Sequence, residues 1–87
     1  MRNSNRLTVT EMRDFWQNRR RDGDISRVAL NTYYSESHVS NMTNGRRRMQ
    51  DRVARELYRI SRRRTENSIL QARYPNVNVE IEFAPAR

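Results

Sequence analysis

The sequence predicts a mostly α-helical domain of four or five helices that ends in a single β-strand, and two hydrophobic spacings carry this prediction. Over most of residues 8–74, apolar residues recur every three or four positions, as they do in helices that bury one face. From Val77 to Phe83 they alternate with polar residues, which is the period of a strand. We therefore divide the chain into a flexible N-terminal arm (1–7), a helical domain (8–74) and a C-terminal strand and tail (75–87).

The composition limits the possible classes of protein. The chain has 87 residues, of which 34% are hydrophobic, and a mean hydropathy of −1.15. These values suit one small domain with a modest core, for which oligomerisation is a common remedy. There is no cysteine, so disulfides and thiolate metal sites are excluded. Because no apolar run has the length of a signal sequence or a membrane span, we expect a cytoplasmic protein with no membrane partner.

The charge favours a polyanionic partner. Eighteen basic residues against ten acidic ones give a net charge of +8, and the isoelectric point is about 11.3. Such an excess points to nucleic acid before membrane. Every basic residue is arginine, whose planar fork suits phosphate and the guanine edge. Genomic base composition explains the absence of lysine at least as well, and the sequence leaves this open.

The first helix follows the polar arm, whose arginines either reach DNA or belong to a frayed terminus. Thr8 or Thr10 can cap this helix, and an acidic residue follows in its first turn. Phe15 and Trp16 share a face with other apolar residues, which predicts core packing rather than base stacking by Trp16. Asp22-Gly23-Asp24 marks the end of the helix.

The next stretch, residues 25–45, predicts two short helices joined by a tight turn. Val28 and Ala29 lie one helical turn beyond Ile25. Ser35 is a good N-cap for the second helix, in which the apolar spacing resumes. Two short helices joined in this way form a helix-turn-helix, whose second helix can enter the major groove of DNA.

This stretch resembles the DNA-binding motif of phage Cro proteins and related repressors. Ala29 matches the small residue at which the two helices of that motif cross, and Asn44-Gly45 before basic residues matches its end. Apolar residues stand at the expected positions, namely Val28, Tyr34, Val39 and Met42. Where the family usually has glycine, because the turn needs a positive φ, this chain has Tyr33. The resemblance implies a DNA-binding transcriptional regulator, most simply a repressor, of a bacterial or phage-infected cell.

The resemblance also implies which residues contact DNA. Residues of the second helix would face base edges, where Asn41 can pair with adenine and Glu36 can accept from cytosine. Glu36 can equally stabilise the helix start through the helix dipole. The predicted base contacts are Ser35, Glu36, Ser37, His38 and Asn41. The predicted phosphate contacts are Ser26, Arg27, Asn44, Arg46, Arg47 and Arg48.

A basic amphipathic helix follows. Residues 46–64 contain nine arginines against two acidic residues, which is a net charge of +7. Apolar residues spaced by four, four and three positions form its buried face, namely Met49, Val53, Leu57 and Ile60. The run at 62–64 is either a set of phosphate contacts or a solvated run at a helix C-terminus. Whether residues 48–74 form one helix or two is also open.

The predicted strand needs a partner edge. We expect a second copy to supply it about a two-fold axis, so that a homodimer reads a palindromic operator. The alternatives are a disordered tail and pairing with a short N-terminal strand near residues 7–9. Cro-like proteins pair through a C-terminal strand, so the resemblance also points to the dimer. The predicted interface residues are Val77, Val79, Ile81 and Phe83.

The leading hypothesis is therefore a sequence-specific regulator that binds double-stranded DNA as a homodimer. The alternatives are a non-specific nucleic-acid-binding or packaging protein and an antitoxin-like DNA-binding partner of another protein. An enzyme is not expected, because the sequence has no Gly-rich phosphate loop, no metal-ligand spacing and no nucleophile–base pair. We expect no cofactor, no metal and no small-molecule substrate.

Overall fold

The computed structural model describes residues 7–82, in which every regular element is a helix, and this confirms the prediction of a mostly α-helical fold. Its five helices are α1 (Val9–Gln17), α2 (Asp24–Thr32), α3 (Glu36–Thr43), α4 (Asp51–Arg73) and the four-residue α5 (Val79–Glu82). Helices α1, α2 and α5 pack against α4, and α3 packs against α2. None of the helices within residues 7–82 has the length and apolar character needed to span a membrane. Most of the predicted arm, residues 1–6, lies outside the described part of the chain.

Local capping explains where the helices begin. The hydroxyl of Thr8 accepts a hydrogen bond from the Glu11 N–H at 3.1 Å, and the Glu11 carboxylate accepts one from the Thr8 N–H at 3.0 Å. This capping box satisfies two free donors of α1 and selects Thr8, rather than Thr10, as the cap. Ser35 caps α3 by accepting from the His38 N–H at 3.1 Å, as its position predicts.

The core lies where α1, α2 and α3 meet the first half of α4. Trp16 has no exposed surface, which confirms the prediction that it packs in the core. The ring of Phe15 meets that of Tyr58 edge-on, with 5.0 Å between the ring centroids. The buried cluster consists of Trp16, Val28, Ala29, Val39, Met42, Val53, Leu57 and Ile60. The apolar spacing thus identified most of these residues.

Residues 51–73 form one helix of 23 residues, so one helix rather than two spans most of residues 48–74, and the run at 62–64 lies inside it rather than at its C-terminus. The Thr65 hydroxyl donates to the Ser61 carbonyl at 3.0 Å, so its polar group is satisfied within the helix. Arg62 and Glu66 form an ion pair one turn apart, at 3.0 Å. The helix ends before Pro75, which disfavours helical backbone at the residue before it.

The predicted C-terminal strand is absent from the described residues, where a turn leads into α5 instead. The Gln71 side chain donates to the carbonyls of Tyr74 (3.2 Å) and Val77 (2.8 Å) and accepts from the Val79 N–H (3.4 Å). These bonds occupy backbone groups that a neighbouring strand would otherwise have paired. Val79 is 1% exposed, so it is buried within its own chain rather than left for a partner. Val77 is partly buried, and the Ile81 side chain and all of Phe83 lie outside the described residues.

Candidate nucleic-acid interface

The turn between α2 and α3 contains the only non-glycine residue with positive φ among the described residues. Tyr33 has φ 63° and ψ 25°, the left-handed conformation for which the related motif usually has glycine. Its side chain is 89% exposed, so no packing compensates for the backbone strain. The N–H of Tyr34 donates to the Ala29 carbonyl at 3.1 Å, which closes the turn. The tight turn between α2 and α3 therefore forms here despite a residue type that disfavours it.

Two contacts fix α3 against α2. Ala29, which is 4% exposed, lies in one buried cluster with Val39 and Met42 of α3. At the N-terminal ends of both helices, the Ser26 hydroxyl donates to the Glu36 carboxylate at 2.7 Å. Two predicted DNA contacts are thus hydrogen-bonded to each other, and one Glu36 oxygen already accepts a hydrogen bond from within the protein.

The first turn of α3 contains three further predicted base contacts. Ser37 is exposed, whereas the Ser35 hydroxyl is engaged as the helix cap. His38 is half-buried, and its ring meets the Tyr34 ring edge-on at 4.7 Å between centroids. Of these three side chains, Ser37 is the most accessible to a ligand.

The segment after α3 folds back on the end of that helix. Gly45 has φ 80°, a conformation that glycine adopts without strain, and the N–H groups of Arg46 and Arg47 then both donate to the Asn41 carbonyl, at 2.9 and 3.1 Å. The Asn44 side chain donates to the Ser40 hydroxyl at 3.3 Å. The two hydrogen bonds to the Asn41 carbonyl fix the first two arginines of the basic segment beside α3.

Arg46, Arg47 and Arg48 are all exposed and form no ion pair with any described residue. Arg47 and Arg48 also line a concave surface of about 480 Å³ next to α3. The complete lining is His38, Arg47, Arg48, Met49, Gln50 and Asp51. The structure thus brings a predicted base contact and two predicted phosphate contacts to one concave surface.

Arg27 lies elsewhere, in a groove between α2 and α4. Arg59, Arg63 and Arg64 of α4 line the same groove. Across it, Glu56 accepts from the Asn31 amide at 3.1 Å and from Arg59 at 2.8 Å through each of its oxygens. The bonds from Arg59 are the main reason that the pKa of Glu56 lies below its ordinary value.

Asp24 is the most buried carboxylate of this region, at 5% exposure, and it links three elements. Its oxygens accept from Trp16 Nε1 (2.9 Å), from the Arg21 N–H (2.9 Å) and from Arg64 (2.7 and 3.2 Å). Arg64 also donates to the Arg19 carbonyl at 2.6 Å. Burial acts to raise the pKa of Asp24, but the hydrogen bonds from Arg64, Arg21 and Trp16 together hold it below its ordinary value.

Three residues of this region were not identified from the sequence. Arg52 lies over the Tyr34 ring at 5.7 Å from its centroid, next to the turn between α2 and α3, and Gln50 lines the concave surface. Their position directly after the basic segment was the available signal. Arg64 is the third: it was considered only within the run at 62–64, and its ion pair with Asp24 had no signal because the two residues lie forty positions apart.

The described residues contain no group of three or more histidine, aspartate or glutamate side chains placed to hold a metal ion. Comparisons of the chain with protein-family models, curated proteins and solved structures found no match.

Proposed function

We propose that this protein is a sequence-specific DNA-binding transcriptional regulator, most simply a repressor, that places α3 in the major groove. The observation that supports the proposal is the pairing of a short helix bearing exposed polar groups with three unpaired arginines in the loop that follows it. Base edges supply specificity and phosphates supply affinity, so such an interface needs both kinds of group side by side.

Ser37 and Asn41 are the proposed principal base contacts. Ser37 is exposed in the first turn of α3, and the partly buried Asn41 lies one turn further along the helix. An asparagine amide matches the N6 and N7 edge of adenine, and a serine hydroxyl can bond several bases. Glu36 contributes its remaining acceptor capacity, while its bond to Ser26 holds the two helices together. His38 contacts DNA at the edge of the concave surface.

Arg46, Arg47 and Arg48 are the proposed phosphate contacts. Their guanidinium groups carry the charge that attracts the DNA backbone, and the bonds to the Asn41 carbonyl fix the loop next to the helix that reads bases. Asn44 lies in the same segment, with an exposed side chain. Neutralising several phosphates makes the affinity depend steeply on salt concentration.

A homodimer and a palindromic operator are part of the proposal. An eight-residue helix reads only a few base pairs, and two copies related by a two-fold axis would double the recognised sequence. The described part of the tail does not provide the strand first expected to pair. The contact between copies is therefore assigned to no particular residues, and the oligomeric state is measured by analytical ultracentrifugation with and without DNA.

Selection from a pool of randomised duplexes at about 150 mM salt tests the proposal, because this salt suppresses purely electrostatic binding. We expect one motif to be enriched, and we expect the Asn41→Ala and Ser37→Ala variants to relax the preference at separate positions. A discrimination of about 1–3 kcal/mol at each position is the ordinary size. Enrichment of no motif by the folded protein would contradict sequence-specific binding.

Non-specific coating of nucleic acid is the second candidate, and the arginines on the outer face of α4 favour it. Arg55 and Arg62 are exposed there, each paired only with an exposed carboxylate on the same helix. In this case, DNA binding would be unchanged on every sequence when Asn41 and Glu36 are replaced by alanine. The same variants therefore separate the two candidates.

A further inference from the structure

The groove between α2 and α4 is a second concave basic surface, and the proposed contacts of α3 and its following loop make no use of it. The groove encloses about 570 Å³. Arg27 enters it from α2, and Arg59, Arg63 and Arg64 enter it from α4. The rest of its polar lining consists of the amides of Asn31 and Asn67 and of two carboxylates, Asp24 and Glu80.

The four arginines of the groove differ in how they are neutralised. Arg59 is paired with Glu56, and Arg64 is paired with Asp24. The side chains of Arg27 and Arg63 form no ion pair or hydrogen bond with any described residue, although each lines the same groove. The four arginines of the groove outnumber its two lining carboxylates, Asp24 and Glu80, and two of the guanidinium groups have no ion-pair partner among the described residues, which favours an anion from outside.

The groove and the recognition helix lie on different sides of α2. Ser26 bonds to Glu36 of α3, whereas Asn31 bonds to Glu56 of α4. These two α2 residues are five positions apart, which is about 140° around a helix. The two bonds therefore leave α2 in different directions, and the 76% exposed Leu30 belongs to the lining of the groove.

We propose that the groove binds a phosphate-bearing ligand through Arg27 and Arg63. A guanidinium fork matches phosphate oxygens in a bidentate manner, and two such forks suit a ligand with more than one phosphate. The volume falls within the ordinary range of small-molecule pockets, about 300–1,000 Å³, so it admits more than a single phosphate ion. Two bonds join the walls of the groove, namely that of Arg64 to Asp24 of α2 and that of Asn31 of α2 to Glu56, which is also paired with Arg59.

Two sources supply this chemistry, namely a free phosphorylated molecule and the backbone of DNA that is already bound to α3. The first assay uses inorganic pyrophosphate as the probe, with sodium chloride at matched ionic strength as the reference. We compare the wild-type protein with the double variant Arg27→Gln/Arg63→Gln. The control Arg55→Gln/Arg62→Gln removes two charges from the outer face of α4.

We expect pyrophosphate to raise the melting temperature of the wild type and of the control in a saturable way. The groove variant should require at least about tenfold more pyrophosphate for the same rise, because both charge-assisted contacts are lost. Circular dichroism establishes that each variant is folded. The single variant Arg27→Gln repeats the test at a residue that is exposed and bonded to no described side chain.

The second assay measures how the affinity for a duplex changes with salt. If DNA phosphates enter the groove, the salt slope of the groove variant falls by about 2 more than that of the control, at about 0.9 per phosphate. If a free ligand is the source, the two slopes agree and pyrophosphate binding alone is lost. Equal behaviour of the groove variant and the control in both assays overturns the proposal. The pyrophosphate assay needs no DNA, so its result is independent of the function proposed above.

Discussion

Of the three arginine triplets in this chain, the two at 46–48 and 62–64 differ in every contact they make. Arg46, Arg47 and Arg48 form the loop between α3 and α4, where all three are exposed and unpaired among the described residues. In the second triplet, within α4, Arg62 pairs with Glu66, Arg63 faces the groove, and Arg64 pairs with the buried Asp24. The first triplet is available to a ligand, whereas part of the second holds the fold together.

The difference arises from the backbone on which each triplet is placed. In α4, Arg64 follows the buried residues Ile60 and Ser61 by four and three positions, so it lies on the same face and points towards the core. A loop imposes no such periodicity, and the bonds to the Asn41 carbonyl leave all three side chains of the first triplet outside. A helix thus sorts three identical neighbours into different environments, while a loop can expose them together.

The largest expected effect on stability is that of Arg64→Ala. The change leaves the Asp24 carboxylate buried without its cation and the Arg19 carbonyl without its donor. We expect the free energy of unfolding to fall by about 2–4 kcal/mol, near the lower end for a broken buried pair because Arg64 keeps some exposure. Urea unfolding followed by circular dichroism measures it.

Arg62→Ala is the matched control for that prediction. It removes the same side chain from the same triplet, but its partner Glu66 is exposed, so solvent screening should make the loss of stability much smaller. An equal loss of stability in the two variants would show that the buried pair of Arg64 stabilises the fold no more than the exposed pair of Arg62.

The next effect concerns the first triplet and is an effect on DNA binding rather than on stability. Replacing Arg46, Arg47 and Arg48 with alanine should lower the salt slope of duplex binding by about 2–3, since each phosphate contact contributes about 0.9. The stability should change little, because these side chains form no ion pair with a described residue. Fluorescence anisotropy from 50 to 200 mM salt, about the range in which such contacts are felt, measures the slope.

The control for this variant removes three other exposed arginines, namely Arg55, Arg62 and Arg73 of α4. If only the total charge matters, both triple variants lose the same slope. A larger loss for the loop variant would localise phosphate binding beside α3 and sharpen the contrast between the two triplets.

The local patterns of the sequence were sufficient for most of the fold. Hydrophobic spacing and capping residues predicted the helices that became α1 to α4, and Trp16 was predicted to be buried. The tail shows where such patterns fail. The alternation of Val77 and Val79 predicted a strand, but the Gln71 bonds and the burial of Val79 against its own chain produce a turn and α5 instead. The alternation of four apolar residues does not specify what those residues pack against. The packing partner decides whether the segment forms a strand or a helix.

The candidate site was predictable only where it is contiguous. The exposed residues of α3 and the loop after it follow one another in the sequence, so a single motif identified them. The bond between Ser26 and Glu36, the placement of Arg27 in the groove, and the pairing of Asp24 with Arg64 all join separate segments. From the sequence alone, an arginine that pairs with a distant buried carboxylate cannot be told from a solvated one. This is why Arg64 was not distinguished from its neighbours.

A smaller effect should appear in acid. The pKa of Asp24 is lowered from its ordinary value of 3.8, because the bonds from Arg64, Arg21 and Trp16 outweigh the opposing effect of burial. The folded state therefore binds this proton less readily than the unfolded state, so the stabilisation is complete above about pH 4 and is lost as the pH falls further. We expect Asp24→Asn to be less stable than the wild type at pH 7, with a gap that narrows below pH 3.8. Urea titrations between about pH 7 and 2.5 measure the gap.

Glu56→Gln provides the comparison for the acid experiment. The pKa of Glu56 is also lowered, first by its bonds from Arg59, but this carboxylate is more exposed than Asp24. The difference in stability between Glu56→Gln and the wild type should be smaller. It should begin to narrow near pH 4.5, the ordinary pKa of this glutamate. A gap for Asp24→Asn that stays constant through acid would contradict the role assigned to the ion pair.

The smallest expected effects concern the backbone on either side of α3, which sets how the first triplet is presented. Tyr33 and Gly45 both have positive φ, at 63° and 80°, but only Gly45 adopts this without strain. We expect Tyr33→Gly to raise the free energy of unfolding by about 0.5–1 kcal/mol, whereas Tyr33→Ala, which keeps a Cβ, gives no such gain.

Gly45→Ala should lower the free energy of unfolding by about 1 kcal/mol, although an added Cβ would meet no atom within 4 Å. The cost is therefore conformational and not steric. Because Gly45 turns the chain so that Arg46 and Arg47 bond to the Asn41 carbonyl, the same substitution should also weaken duplex binding, whereas Tyr33→Gly should leave it unchanged. Stability and DNA affinity measured on both variants separate the two effects. If Gly45→Ala loses stability but keeps its affinity for the duplex, the arginines of the loop bind DNA without being fixed beside α3. In that case the two triplets differ only in how exposed their side chains are.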